Sequence, residues 1–226
     1  MSNSTFRGRR KQQPLKAVQA LAPGYILRFD LPGIPYQEPA FSSIRPRISE
    51  NDPDVIGIAY LLTRDEYERL LQSEGGRGGG YREIDLLVKP LLDLTNEKSS
   101  FVCKSLSTRV PRENPHPLPS ERYLSLIRSG AVEHRFPAAY QEYLDNLPIY
   151  SISSWRTEIG RIFFLLIWLP VVLVIFGLML LKNKRGEVPR CIRKLQLWTF
   201  AAMWKMHDKI FSPIFGRGDI SPTEKV

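Results

Sequence analysis

Short runs of apolar residues recur through the first 150 positions, and their spacing predicts strands and helices. Tyr25–Asp30 alternates apolar and polar side chains, which predicts a strand with one solvated face. Val55–Leu62 is continuously apolar and predicts a buried central strand. Two further strands are predicted at Tyr81–Val88 and Phe101–Leu106. The prolines of residues 31–41 predict an irregular segment, because proline lacks a backbone donor.

Helices are predicted where helical spacing follows a capping residue. Thr63 is a predicted N-cap for a helix over residues 64–72. Ser120 begins a second predicted helix and Pro137 a third, since proline suits the first helical turn. Four strands with helices around them predict an α+β domain over residues 1–150, with the strands closed into a small barrel.

The longest apolar run is Ile162–Leu181, which has 20 positions without a charge. At about 1.5 Å per residue such a helix spans a hydrocarbon core of roughly 30 Å. We therefore expect a single transmembrane helix over 162–181, preceded by a linker over 151–161. Basic residues concentrate on its C-terminal flank, so the positive-inside rule places the tail in the cytosol. Pro170 leaves open a re-entrant hairpin with both ends cytosolic.

The tail, residues 182–226, is basic, with 10 Lys and Arg against 4 Asp and Glu. Within it, residues 191–211 mix aromatic and basic side chains. This pattern predicts an amphipathic helix in the headgroup layer of a bilayer, or an ordinary helix that docks on the main domain. Because the charge excess lies in the tail and no nucleic-acid-binding motif occurs, the composition does not indicate a nucleic-acid partner. The two cysteines and scattered histidines have no metal-ligand spacing, so no metal or cofactor is expected.

A glycine-rich loop carries the clearest candidate chemistry. Five of the nine residues in Ser73–Tyr81 are glycine, and Glu74 stands at the head of the loop. Glycine lets main chain approach a ligand closely, so a carboxyl group fixed there suits proton transfer. The alternative is a flexible surface turn with a solvated glutamate.

Three segments together resemble the γ-glutamylcyclotransferase family, and the fungal secondary-metabolism type most closely. They read VIGIAYLLTRDEYERLLQSEGG…GGGY, FVCKSLSTRVPRENPHPLPSERYLSLIRSGA and FPAAYQEYLDNL. The resemblance implies that Glu74 is the catalytic acid and base, and that Gly75, Tyr81 and Tyr123 contact the substrate. It implies a γ-glutamyl substrate, release of 5-oxoproline without metal or cofactor, and a cytosolic catalytic domain.

The chain departs from this family in two places. Leu106 stands where better-studied members have a third pocket tyrosine. The family also begins with a strand and a Tyr-Gly-Ser-Asn loop, and this chain starts about where that loop would end. Either the coding sequence begins further upstream, or the protein lacks both features. In the second case we expect a catalytically inactive member that serves as a membrane-tethered interaction module.

Overall fold

The computed structural model describes residues 14–73, 80–93, 99–112, 117–181 and 188–218. The strands in this part are β1 Lys16–Ala22, β2 Tyr25–Ile34, β3 Glu38–Pro46, β4 Val55–Leu61, β5 Tyr81–Pro90 and β6 Phe101–Thr108. The helices are α1 Arg64–Ser73, α2 Glu121–Glu133, α3 Ala138–Asp145, α4 Trp155–Met179, α5 Arg190–Met206 and the short α6 Ser212–Phe215. A π-helical turn, His207–Phe211, joins the last two.

The strands form two antiparallel sheets, one of four strands in the order β4-β1-β5-β6 and one made of β2 and β3. The predicted α+β class is confirmed. The closed barrel that the sequence predicted is not what the described residues form: their strands make two separate sheets. Side chains join them: Leu27 and Ile44 of the small sheet pack on a core of Ala20, Val55, Leu86 and Val88 from the large one.

Several strand predictions were wrong, and tertiary pairing explains each. β1 was not predicted, yet it lies between β4 and β5, which moves β4 from the predicted centre to an edge of the sheet. The proline-rich segment 31–41 is mostly β-strand rather than irregular. In a two-stranded sheet each strand is an edge, so Pro32 can pair opposite Ala40 without interrupting a central ladder.

The starts of α1 and α2 were predicted well because they depend on local capping. Thr63 and Glu66 form a reciprocal capping box: the Thr63 amide donates to Glu66 Oε2 at 2.9 Å, and the Glu66 amide donates to Thr63 Oγ1 at 3.3 Å. Ser120 caps α2 by accepting the Tyr123 amide at 3.1 Å. α2 continues to Glu133.

The C-terminal helices pack against the tip of the β2–β3 hairpin. α4 begins at Trp155, inside the predicted linker, and passes unbroken through Pro170 to Met179. A buried hydrophobic cluster joins it to α5 and to the hairpin; its members are Tyr36, Phe164, Val172, Met203, Trp204 and Phe211. Of the two possibilities for the tail helix, docking on the main domain is therefore what the structure shows.

Tyr36, at the tip of the β2–β3 hairpin, is the main domain's buried residue in this cluster. It is 1% exposed and has φ 63°, a left-handed backbone conformation that is uncommon for a non-glycine residue. The Gln37 amide closes the turn by donating to the Ile34 carbonyl at 3.2 Å. The Tyr36 hydroxyl donates to the Gly216 carbonyl at 2.9 Å, and its ring lies 5.4 Å from that of Phe164.

Polar contacts fix the same interface. The Trp204 indole donates to the Gly33 carbonyl at 2.9 Å. Arg112 donates two hydrogen bonds to the Asp208 carboxylate, at 2.8 and 3.0 Å, and its guanidinium lies 4.0 Å from the centre of the Trp204 ring. Burial would raise the pKa of Asp208, but hydrogen bonds from Arg112 and His207 outweigh burial and lower it.

Candidate functional site

Two of the tyrosines singled out from the sequence meet at one residue of β3. Tyr81, the first residue of β5, donates its hydroxyl to the Ser42 carbonyl at 2.9 Å. Tyr123, in the first turn of α2, places its hydroxyl 2.8 Å from Ser42 Oγ and accepts the Ser42 amide at 3.3 Å. The two phenols therefore share a half-buried serine that belongs to no recognisable sequence motif. Their part in substrate binding stays a prediction.

A β-bulge places Ser42 in this position. The register pairs Arg28 with Ser43 and Leu31 with Phe41, so Phe29 and Asp30 together face Ser42. A bulge of this kind disrupts the ladder locally and bends the strand, and such bulges are common beside active sites. The irregular pairing brings the main-chain groups of Ser42 within reach of the two tyrosine hydroxyls.

A buried carboxylate, that of Asp30, hydrogen-bonds to the strands next to Ser42. It is 4% exposed and accepts hydrogen bonds from Ser43 Oγ at 2.5 Å, Thr108 Oγ1 at 2.7 Å and Arg45 Nε at 2.6 Å. Burial alone would raise the pKa of Asp30, but these hydrogen bonds and the Arg45 charge outweigh it and hold the pKa below its ordinary value. Asp30 therefore stays ionised at neutral pH and links β2, β3 and β6.

Tyr123 has an aromatic surrounding that fixes its ring. Phe41 and Phe29 meet it edge-on, with ring centres 5.1 and 6.4 Å away. The N-cap Ser120 donates to Glu38 Oε2 at 2.6 Å, which ties the start of α2 to the start of β3. The hydroxyl of Tyr123 is thus held by packing on the helix and by polar contacts with the strand.

Glu74 and Gly75 lie outside the described residues. The structure does show how the chain leaves and re-enters that segment: α1 ends at Ser73, and Gly80 stands directly before Tyr81. A Cβ on Gly80 would lie 2.8 Å from Leu31 Cδ1, so a larger residue here would require the Leu31 side chain to shift. The Arg109 amide donates to the Gly80 carbonyl at 2.8 Å.

Leu106 occupies the place where the family resemblance expects a third pocket tyrosine. It is half-buried and pairs with Glu83 across β5 and β6, two residues from Thr108. On an antiparallel strand this spacing puts Leu106 on the same face as Thr108. An apolar side chain therefore stands on that face of β6, two positions from a hydroxyl that donates to Asp30.

A cavity of about 360 Å³ lies between the large sheet and α1. Its lining is mainly apolar, with Ala20, Leu86 and Val88 on the sheet and Leu70 on α1. Tyr67 and Lys104 supply polar atoms at its wall. The Tyr67 hydroxyl donates to Glu83, and burial together with this carboxylate raises the pKa of Tyr67 to about 12, so the phenol keeps its proton.

One helix in the described part of the chain is long and apolar enough to cross a bilayer. It is α4, Trp155–Met179, with a peak mean hydropathy of 2.9. The evidence for a span is the length and composition of the helix alone, and the core helix of a soluble protein meets the same criteria. In the most hydrophobic window, 17% of the residues are buried.

Known proteins match both halves of the chain. The sequence model of the AIG2-like family matches residues 54–144, and that of the AclK C-terminal domain matches residues 154–214. Gamma-glutamyl cyclotransferase gliK of Aspergillus fumigatus is 33% identical over 92% of this chain and 82% of that protein. The protein of the same name from Claviceps purpurea is 38% identical over 97% of this chain and 99% of that protein.

A solved structure supports the fold. The crystal structure of an uncharacterized human protein superposes with a TM-score of 0.50 and 21% identity. The superposition covers 62% of this chain and 79% of the human protein. At this level of identity the likeness concerns the fold alone.

Proposed function

The chain belongs to the γ-glutamyl cyclotransferase family, and from this premise we propose that it releases 5-oxoproline from γ-glutamyl amines, γ-glutamyl peptides or glutathione-derived conjugates. The observation that carries the proposal is the meeting of the Tyr81 and Tyr123 hydroxyls at Ser42. This places two of the predicted substrate-binding side chains at one point, directly after the glycine-rich loop that begins with Glu74.

The proposed reaction is an internal acyl transfer. The α-amine of the γ-glutamyl group attacks its own γ-carbonyl carbon, a C–N bond closes the five-membered lactam, and the bond to the departing amine breaks. Glu74 takes the proton from the attacking ammonium and delivers one to the leaving nitrogen. Because both reacting groups belong to one molecule, the protein mainly has to hold a folded conformer. Well-oriented intramolecular reactions reach effective molarities on the order of 10^5–10^8 M.

The tetrahedral oxyanion requires hydrogen-bond donors. The resemblance assigns this task to an N-terminal amide loop. The Ser42 amide is a second candidate, because its hydrogen bond to Tyr123 is long, at 3.3 Å, and easily exchanged for one to substrate. The tyrosine hydroxyls, released from Ser42, would then bind the polar groups of the glutamyl moiety.

We place the enzyme at a membrane through α4. The support is the uncovered apolar surface of this helix, on which Leu166, Leu173 and Val174 are each more than 60% exposed. Apolar area of this size on a protein surface marks a contact with lipid or protein. The division into a domain over 1–150 and a membrane region after it, like the cytosolic location of the domain, stays a prediction.

The alternative is a catalytically inactive member that acts as a tethered interaction module. It is favoured by the partners that the tyrosine hydroxyls already have within the chain, and by Leu106 in place of a tyrosine. In that case Ser42 fills the position that substrate would otherwise take.

The test is release of 5-oxoproline from a panel of γ-glutamyl donors by the full-length chain. We expect turnover by the wild type and a loss of about 10²–10⁴-fold in Glu74→Gln, the usual worth of a positioned acid and base. Glu50→Gln, at an exposed loop position, is the matched control and should keep full activity. Retained turnover in Glu74→Gln removes Glu74 from the mechanism. No turnover by the wild type with any donor favours the interaction module.

A further inference from the structure

One face of helix α4 is buried against the rest of the protein, and the opposite face is exposed along the length of the helix. The buried residues are separated by three, four, eight and three positions: Thr157, Gly160, Phe164, Val172 and Ile175. Helical geometry puts these positions on one side. The opposite side carries exposed apolar residues from one end to the other: Ile159, Ile162, Phe163, Leu166, Leu169, Leu173, Phe176 and Leu180.

The covered face binds α4 to the rest of the protein near its start. Phe164 packs on Tyr36 of the main domain, so 15 residues of the helix, up to Met179, lie beyond this contact. At about 1.5 Å per residue they extend roughly 23 Å, and a hydrocarbon core is about 30 Å thick. The part of α4 that is clear of the domain is therefore too short to cross a bilayer unaided.

The chain after α4 returns to the domain. Thr157 Oγ1 donates to the Phe215 carbonyl at 2.9 Å, and the Phe163 and Phe215 rings lie 6.5 Å apart. α5 contacts the β2 strand through Trp204. Cys191 precedes Trp204 by 13 residues on the same helix, about 20 Å at the helical rise. No point on α5 is therefore as far from the domain as a bilayer is thick.

The charges at the start of α5 oppose its immersion in the hydrocarbon core of a bilayer. Arg190, Arg193 and Lys194 lie in the first turns of α5. A spanning hairpin would carry them through the hydrocarbon, where each costs about 2.5–3.5 kcal/mol at the centre. At an anionic surface each instead adds about 1 kcal/mol of attraction. The same residues thus favour a position along the headgroups.

We infer that α4 and α5 form a one-sided membrane-binding hairpin: the outer face of α4 enters one leaflet of an anionic bilayer, and the chain does not cross. Amphipathic helices of this kind reach about 5–10 Å into the boundary between headgroups and acyl chains. The end of α4 and the start of α5, where Cys191 lies, are then on the same side of the bilayer as the main domain. The inference rests on the proposed membrane association and is independent of the cyclotransferase activity.

The two native cysteines supply the test, because Cys191 is exposed at the start of α5 and Cys103 lies on β6. Full-length Cys103→Ser protein is added to sealed phosphatidylcholine vesicles containing phosphatidylglycerol, recovered by flotation and treated with a membrane-impermeant maleimide. We expect Cys191 to react to the same extent before and after detergent. A second reporter, Leu180→Cys in a Cys103→Ser/Cys191→Ser background, marks the end of α4 and should behave alike.

Reaction of either reporter only after detergent shows that the hairpin has crossed, and the inference is overturned. The lipid contact itself is tested by Leu166→Glu/Leu173→Glu, which should lose at least 10-fold in vesicle binding. Leu126→Glu, at a similarly exposed position on α2, should bind like the wild type. If the wild type does not float with the vesicles, the membrane assignment is overturned. It is also overturned if the wild type self-associates in water while the α4 variants are monomeric, because the exposed face then binds a second copy of the chain. A parallel 5-oxoproline assay in detergent keeps this outcome apart from a failure of the catalytic proposal.

Discussion

Replacing Asp30 by asparagine tests whether the buried carboxylate holds the two sheets together behind Ser42. The variant keeps the shape of the side chain but removes the charge that Arg45 faces at 2.6 Å. Breaking one partner of a buried ion pair costs roughly 3–5 kcal/mol, and the Arg45 side chain is 20% exposed, so we expect the lower end of that range. For a chain of this length about 3 kcal/mol lowers Tm by roughly 6–12 °C.

The pH dependence gives the sharper measurement. Because the folded pKa of Asp30 is lowered, its carboxylate contributes stability above the unfolded pKa of about 3.9, and this contribution is lost as pH falls through the folded value. Urea unfolding followed by far-ultraviolet circular dichroism, in detergent, should show a constant gap between wild type and Asp30→Asn from about pH 7 to 5. Below about pH 4 the gap should close, since the wild type then loses the same charge.

A matched control separates this effect from the removal of any carboxylate. Asp85 lies 2.9 Å from Lys104, but its side chain is 65% exposed, so Asp85→Asn should cost no more than about 1 kcal/mol. If Asp30→Asn proves equally mild at pH 7, or if its cost persists unchanged into acid, the carboxylate does not join the strands as we describe.

Two further predictions concern tyrosines. Tyr123→Phe removes the hydroxyl that meets Ser42, and we expect KM for a γ-glutamyl donor to rise about 10-fold, the equivalent of one hydrogen bond, with a smaller change in kcat; a lower kcat at unchanged KM speaks against a binding role. Tyr36→Ala and Tyr36→Gly both lose the buried ring, at roughly 3–5 kcal/mol. Because φ at this position is 63°, the glycine variant should be the more stable of the two by about 1 kcal/mol in urea unfolding, and the opposite order would show that the turn is not strained.

Local signals in the sequence were sufficient for part of the fold. The capping box at Thr63 and the N-cap at Ser120 each act within a few residues, so the starts of α1 and α2 could be predicted closely. β5 and β6 follow from β-branched and aromatic residues in short runs. β1 could not be found in this way, because KAVQALA is rich in alanine and becomes a strand through its pairing with β4 and β5.

The residues of the candidate site were also only partly predictable from the sequence. Tyr81 and Tyr123 were selected by family resemblance, and the structure shows that they meet. Ser42 and Asp30 belong to no motif, since their roles depend on a bulge and on partners from β3 and β6. Docking of the tail helix was one of two possibilities from the sequence, but the place of contact could not be predicted, because it includes a tyrosine in a left-handed turn, which no local propensity favours.

The β2–β3 hairpin carries Tyr36 at its tip and Ser42 six residues further on, at most about 20 Å along the strand. One two-stranded ribbon therefore lies between the C-terminal helices and the tyrosine pair. With α4 on a bilayer surface, the reaction would take place at a set height above the lipid, in the aqueous layer next to the headgroups. A γ-glutamyl compound would then arrive from that aqueous layer, and the ionised products, 5-oxoproline and an amine, would return to it.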